Sequence, residues 1–440
     1  MTGPSPYKSI LLSVALVLPV LYLCTSLRQS DGYSIIVAYS VAFLAYGALI
    51  YNKNYSKNSL YLLVGVGILV RAILVFLFPN LSDDIYRFMW DGNMIQDGIN
   101  PLTCTPREFL SIYPRDSRYE ELFPLLNSQD YYTVYPPVSQ VIYWFSSLFP
   151  TWNLSSIAMK AVLFFSEIGS ALLIMRLLDR IGQSRSYVLW YFLNPLVIVE
   201  MVGQLHFEAV MIFFLLAGLV LLSQKRLFLA GSMMALSVGA KLLPLMFLPL
   251  MIKYLGSVKK FGRFVLGGLV TLLVTFLPMF FRMDISHFLS SVNLYFQSFE
   301  FNAGIYYLLR KLGWLLTDYN QIKILGPLLS LVTVGVILYT ATKVVKGNLA
   351  SLLKVFFISF ATYLFLATTV HPWYLCMLVM LALFQRSWWP LVWSGVVVWS
   401  YTTYMTPEFV QNLGLISVEY LVVYGCLIYE YFRKQSTKVG

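Results

Sequence analysis

The chain has 440 residues, 59% of them hydrophobic and 12% charged, with a mean hydropathy of +0.72 and a formal net charge of +11. Soluble domains carry roughly 25% charged residues, so this composition excludes a water-soluble globule. The Lys and Arg excess lies in short segments between apolar runs, the positive-inside pattern of membrane proteins, so no nucleic-acid partner is expected.

Apolar stretches of about 17 to 25 residues, each long enough to cross a bilayer core, recur from Ile10 to Tyr431. They lack the alternation of barrel strands, and only helices or closed barrels satisfy the backbone in lipid. The expected fold is all-α: a polytopic integral membrane protein with about 12 to 14 membrane helices, short or re-entrant ones included. Lys8 precedes the first apolar run and no small-residue cleavage site follows, so that run reads as a retained helix rather than a signal peptide. Lys53 and Lys57 follow the second, and the third, roughly Ser59 to Phe78, carries Arg71 within it.

The segment Pro79 to Val134 is the longest polar stretch, with nine acids against four Arg, which assigns it to the non-cytoplasmic face. A single transmembrane domain over 1–440, with a non-cytoplasmic loop over 79–134 containing short helices, is therefore expected. Parity requires that one of Tyr135 to Pro150 and Ile157 to Leu178 does not span, and Tyr135 to Pro150, with 16 residues and two leading prolines, is expected to be the re-entrant or interfacial helix. Parity also places outward turns near Gly203 to His206, near Lys241, across Arg282 to Glu300 and near His371, and it divides Leu227 to Lys253 into two short helices meeting near Lys241.

Four outward spots concentrate the polar residues. In SDDIYRFMWDGNMIQDGINPL, residues 82 to 102, Ser82 could cap a helix whose first turn suits Asp83 and Asp84. A site reading is equally open: two adjacent carboxylates leave the third span at the membrane surface, where desolvation raises a carboxyl pKa toward that of a working base. Arg87, Trp90 and Asp91 follow on the same segment. Tyr135 opens the next element ahead of Pro136 and Pro137, which fix its entry. In FLNPLVIVEMVGQLHFEA, residues 192 to 209, a proline interrupts a span, and Glu200, Gln204, His206 and Glu208 gather at its outer turn. Charges in spans are expensive and usually face a polar cavity. GAKLLPLMFLP, residues 239 to 249, sets Lys241 in an apolar stretch, at a cost of about 2.5 to 3.5 kcal/mol at the membrane centre. A Glu partner or a substrate phosphate would offset it. TTVHPWYLC, residues 368 to 376, places His371 at a helix break ahead of Trp373 and Tyr374. Four scattered Cys without CxxC spacing and three His give neither a disulfide framework nor a zinc site, so no metal and no cofactor is expected.

These motifs in this order resemble the polytopic GT-C glycosyltransferases, especially the PIG-M-like and the bacterial polyprenyl-phosphate-mannose-dependent mannosyltransferases. The likeness runs from about Leu81 to Leu383 and rests on Asp83 with Asp84, GINPL at 98 to 102, YPP at 135 to 137, NPL at 194 to 196, AKLLP at 240 to 244 and HPWYLC at 371 to 376. The resemblance implies an inverting transferase that moves a sugar, mannose by family, from a polyprenyl-phosphate donor to a glycan or glycolipid acceptor on the non-cytoplasmic face. Asp83 would be the general base and Asp84 its assistant, and Lys241 and His371 would hold the departing lipid phosphate. Arg87, Trp90, Asp91, Tyr135, Glu200, Gln204, His206, Trp373 and Tyr374 would contact sugar or acceptor. The adjacent acids depart from the Asp-x-Asp spacing of the GPI-type enzymes, and two extra spans precede them. The setting would be a bacterial inner membrane, since KQSTKVG at the C-terminus carries no retention signal. Rival readings are a secondary transporter, disfavoured because the 79–134 loop has no counterpart in the second half, and a non-catalytic membrane scaffold.

Overall fold

The computed structural model describes residues 6–51, 55–113, 116–280, 286–287, 289–291, 293 and 299–439. Its elements are helices, with one isolated parallel bridge between Phe301 and Thr369. Eight helices among the described residues are long and apolar enough to cross a membrane: Tyr7–Ser26, Gly32–Ile50, Lys57–Val75, Trp152–Arg180, Val258–Leu277, Ile322–Ala341, Leu349–Leu366 and Leu413–Ser436. A ninth span is possible in the pair Arg185–Phe192 and Pro195–Gly203, bent by 57°. The long helices alone do not establish the expected 12 to 14, a number that included short and re-entrant helices. Four further apolar helices, Glu208–Ser223, Leu227–Ala240, Leu243–Leu255 and Pro372–Gln385, are shorter. The turn expected across Arg282 to Glu300 lies largely outside the described residues.

The bend follows from local chemistry. Pro195 has no N–H to continue a helix, and the Asn194 side chain accepts from the Leu196 amide at 2.9 Å, starting a new turn. Asn194 donates in turn to Ser394 Oγ at 2.9 Å, so non-helical backbone at depth is wrapped in protein. The second limb ends in a π-helical turn over Ile198–Gly203, followed by Leu205 at φ +67°. That left-handed residue is unfavourable for a branched side chain. It lets Gln204 and His206 leave the turn in different directions.

The Pro137–Ser147 helix has 11 residues, about 16 Å of rise, too short to cross. Ser139, Gln140, Tyr143 and Ser146 are buried, while Val141, Trp144 and Phe145 are exposed. It packs on the Asp84–Gln96 helix at Gly92, where a Cβ would lie 2.4 Å from the Tyr143 carbonyl oxygen. Ser139 Oγ donates to the Ala240 carbonyl at 2.8 Å, tying this helix to the end of Leu227–Ala240. There the chain becomes extended at Lys241 and resumes as a 3-10 turn over Leu243–Phe247, so two short helices do meet at this lysine.

Two buried cations organise the interior. Arg71 pairs with Glu167 at 3.0 Å, both fully buried, and donates to the Phe192 carbonyl at 2.7 Å; Tyr191 OH donates to the other Glu167 oxygen at 2.6 Å. Lys160 Nζ donates to the carbonyls of Leu74 (3.2 Å), Leu77 (2.5 Å) and Gly203 (2.8 Å). Removing one member of a buried ion pair strands the other, at about 3 to 5 kcal/mol. Arg71→Leu should therefore lower the melting temperature of the purified protein in detergent by several degrees, and Arg71→Leu/Glu167→Leu should recover most of the loss. A double variant no more stable than the single would show that the pair is not the unit that matters.

Candidate functional site

The acidic pair stands at the start of the Asp84–Gln96 helix, directly after the third span. Asp83 occupies the cap position, yet its side chain makes no capping bond, and Ser82 Oγ only approaches the Asp84 amide at 3.4 Å. Helix capping does not account for Asp83. The two carboxylates differ in commitment: Asp84 accepts from Asn127 Nδ2 at 3.1 Å and from Tyr135 OH at 3.4 Å. Asp83 is exposed to solvent, yet neighbouring protein desolvates part of its carboxyl. That partial burial raises the Asp83 carboxyl above its ordinary range, and the adjacent Asp84 charge adds to the effect.

The loop before the pair is fixed by Gln204. Its Oε1 accepts from the amides of Asn80 (3.1 Å) and Leu81 (2.8 Å), and its Nε2 donates to Asn80 Oδ1 at 3.0 Å. Asn80 Nδ2 in turn donates to the carbonyls of Leu23 (2.7 Å) and Leu27 (2.5 Å) at the end of the first helix. The polar atoms of Gln204 are thus engaged in positioning the acids.

Opposite lies a ring stack. His206 packs on Trp373 with centroids 3.9 Å apart, Trp373 on His371 at 4.4 Å, and His371 on Phe301 at 4.6 Å. His206 Nδ1 lies 3.1 Å from Glu200 Oε2, and Tyr401 OH donates to Glu200 Oε1 at 2.9 Å. Lys241, about a quarter exposed, forms an ion pair with fully buried Glu208 and sits 5.1 Å from the Tyr374 ring centre. Glu208 Oε2, His206 Nε2 and His371 Nδ1 are buried without a hydrogen-bond partner. Such atoms are uncommon and mark places where a ligand or water completes the set.

These groups form one cluster. His206 is close enough to Asp84 and Glu208 to interact electrostatically, and His371 to Lys241 and His206. Tyr404 lies within the same range of Asp83, Asp84 and Glu200. Asp83, Asp84, Tyr135, Glu200, His206, Lys241, His371, Trp373 and Tyr374 lie together in it. Three others serve the outer loop. Arg87 Nε pairs with Asp91 at 2.9 Å and Arg87 Nη1 donates to the carbonyls of Ser128 (3.0 Å) and Tyr131 (2.9 Å). Asp91 also accepts from Thr133 (2.6 Å) and Gln140 (2.9 Å). Trp90 packs against Phe109 and Tyr119 of the loop's short helices. Tyr401, Tyr404 and Lys160 are additions. Glu208, two residues past His206, was already legible at the outer turn; for the tyrosines and Lys160 no local pattern existed.

Residues 32–256, just over half the chain, match the family described as alpha-(1->6)-mannopyranosyltransferase, N-terminal domain. A relative, alpha-(1->6)-mannopyranosyltransferase A of Corynebacterium glutamicum, is 26% identical over 185 residues, 41% of this chain. That match spans 36% of the relative's own length. The family region includes Asp83, Asp84, Glu200, His206, Glu208 and Lys241, whereas His371, Trp373 and Tyr401 lie beyond it. The chain belongs to the alpha-(1->6)-mannopyranosyltransferase N-terminal-domain family, a group of GT-C type membrane glycosyltransferases.

Proposed function

We propose that this protein, a single membrane domain with its 79–134 loop on the non-cytoplasmic face of a bacterial inner membrane, is an inverting mannosyltransferase. Its donor is a mannosyl phosphate carried on a polyprenyl chain, and its acceptor is a hydroxyl of a glycan or glycolipid. The observation that carries the reading is the division of labour in the acidic pair: Asp83 accessible, uncapped and raised in pKa, Asp84 held by Asn127 and Tyr135. A carboxylate with a raised pKa is a stronger base.

Asp83 takes the acceptor O–H proton as the acceptor oxygen bonds to the anomeric carbon. The bond from that carbon to the phosphate oxygen breaks on the opposite face, and polyprenyl phosphate leaves with one more negative charge. Lys241 answers that charge, with His371 beside it. Because Lys241 is paired with Glu208, the donor phosphate competes with that carboxylate for the ammonium. His206, Trp373 and Tyr374 offer ring faces for the sugar, with Glu200 and Tyr135 at its edges. Arg87, Trp90, Asp91 and Gln204 act as positioning residues. A lipid-borne donor also fits a chain with no nucleotide-binding motif.

Asp83→Asn should reduce transfer from polyprenyl-phosphate mannose by about 100-fold to 10,000-fold with folding retained, and Asp84→Asn by less. Equal, undiminished activity in both would remove the base assignment. The pH profile gives a second test. The base works ionised and its pKa is raised, so activity climbs with pH through a limb above the ordinary carboxylate range and then levels. Asp84→Asn deletes one cause of the shift, so the limb should move to lower pH; an unmoved limb contradicts the coupling. Lys241→Met should cost about 100-fold or more in kcat/KM for the donor, and unchanged kinetics would exclude Lys241 from the phosphate site.

A further inference from the structure

A second polar recess lies beside the acids, on another face of the same helix. It has a volume of about 270 Å³ between the Asp84–Gln96 helix and the turn leading into Trp152–Arg180, and its lining includes Met89, Asn93, Gln96, Arg118 and Trp152. None of these belongs to the cluster described above. Asn93 and Gln96 make no side-chain hydrogen bond among the described residues, so two amides, each with two donors and an acceptor, line the recess uncommitted. Trp152 is 38% exposed and meets Tyr86 edge-on with centroids 6.0 Å apart.

The electrostatics select among ligands. Arg118 is the cation of the recess, and it is held by two carboxylates, Asp97 at 2.9 Å and Asp116 at 2.7 Å. The trio carries a net negative charge, which disfavours a phosphate or an anionic lipid headgroup. What remains complementary is a neutral ligand with hydroxyls for the amides and an apolar C–H face for the indole. That is the description of a pyranose ring, and the volume suits a single one.

The recess is connected to the acids through the helix itself. Tyr86 stands one turn past Asp83, and Asn93 and Gln96 follow Tyr86 at spacings of seven and three that line up along one side of the helix. Asp83 is near enough to Tyr86 to influence it electrostatically. At 1.5 Å per residue Asn93 stands about 15 Å from Asp83, the reach of a short oligosaccharide rather than of one sugar.

We infer that this recess is a distal acceptor subsite: it binds an internal sugar of a neutral oligosaccharide whose terminal hydroxyl lies at Asp83. The inference rests on the transferase reading, and it makes the enzyme one that extends a chain already several sugars long.

The test is binding without transfer. Full-length protein in nanodiscs, as wild type and as Asp83→Asn, is titrated calorimetrically with a soluble alpha-(1->6)-linked mannotetraose and with mannose. The tetraose should bind both proteins more tightly than mannose does. Trp152→Ala and Asn93→Ala should each weaken the tetraose about tenfold, the effect of a lost hydrogen bond or ring contact, and leave mannose unchanged. Gln96→Ala, at an exposed helix position where substitutions usually change stability little, serves as the third variant. Tetraose binding equal in wild type and all three variants, absent in wild type, or displaced by anionic lipid vesicles would overturn the subsite. Undiminished transfer by Asp83→Asn would overturn the base assignment alone, since the binding arm involves no transfer.

Discussion

The ammonium of Lys160 is the contact on which the polar centre depends. A charge within an apolar helical layer must be answered by the protein itself, and Lys160 is answered by three main-chain carbonyls at helix ends. Those of Leu74 and Leu77 end the third span, and that of Gly203 ends the π-helical turn of the broken one. One side chain thereby satisfies two helix termini and pins them together. Residues 78 to 84 and 204 to 208 start from that point, so the acids and His206 emerge side by side. Gln204 repeats the connection one layer out, through the amides of Asn80 and Leu81.

The long helices were legible because bilayer thickness imposes a length that hydropathy reveals directly. The short Pro137–Ser147 helix and the break at Lys241 were legible for a related reason: charge parity forbids a full crossing at either place. Partners were not legible. Arg71 announces a buried charge, but nothing local says that its answer is Glu167, 96 positions away, because only packing of distant helices makes that pair. Asp91 shows the opposite error. By type and spacing it belonged with Asp83, yet Arg87, Thr133 and Gln140 hold it inside the outer loop. Carboxylates one or two turns apart are alike in sequence and are distinguished by which neighbours have donors to give.

The ring stack adds a connection that no single segment carries. His206 comes from the family-matched region, while Trp373, His371 and Phe301 come from the chain beyond it, as does Tyr401 on Glu200. Phe301 is itself fixed by main-chain bonds to Thr368 and Val370 on either side of the Phe301–Thr369 bridge, and Tyr420 OH donates to the Asn302 carbonyl at 2.8 Å. The half of the chain without a family match therefore supplies one wall of the cluster, and the C-terminal helix braces that wall.

Charge balance explains why the cluster holds so many acids around so few cations. With Asp83, Asp84, Glu200 and Glu208 facing Lys241 and His206, an added phosphodiester would be repelled if the lysine stayed with Glu208. Under the proposed chemistry the ammonium instead swings between two anions, and its attraction to the phosphate rises as the glycosidic bond breaks and charge collects on the leaving oxygen. Glu208 is fully buried and has one oxygen without a hydrogen-bond partner, so it is a poor resting place for an isolated charge. In that scheme it draws Lys241 back once the lipid phosphate departs. An interaction stronger at the transition state than with the bound donor accelerates the chemistry, and competition from Glu208 keeps the ground-state grip on the phosphate weak.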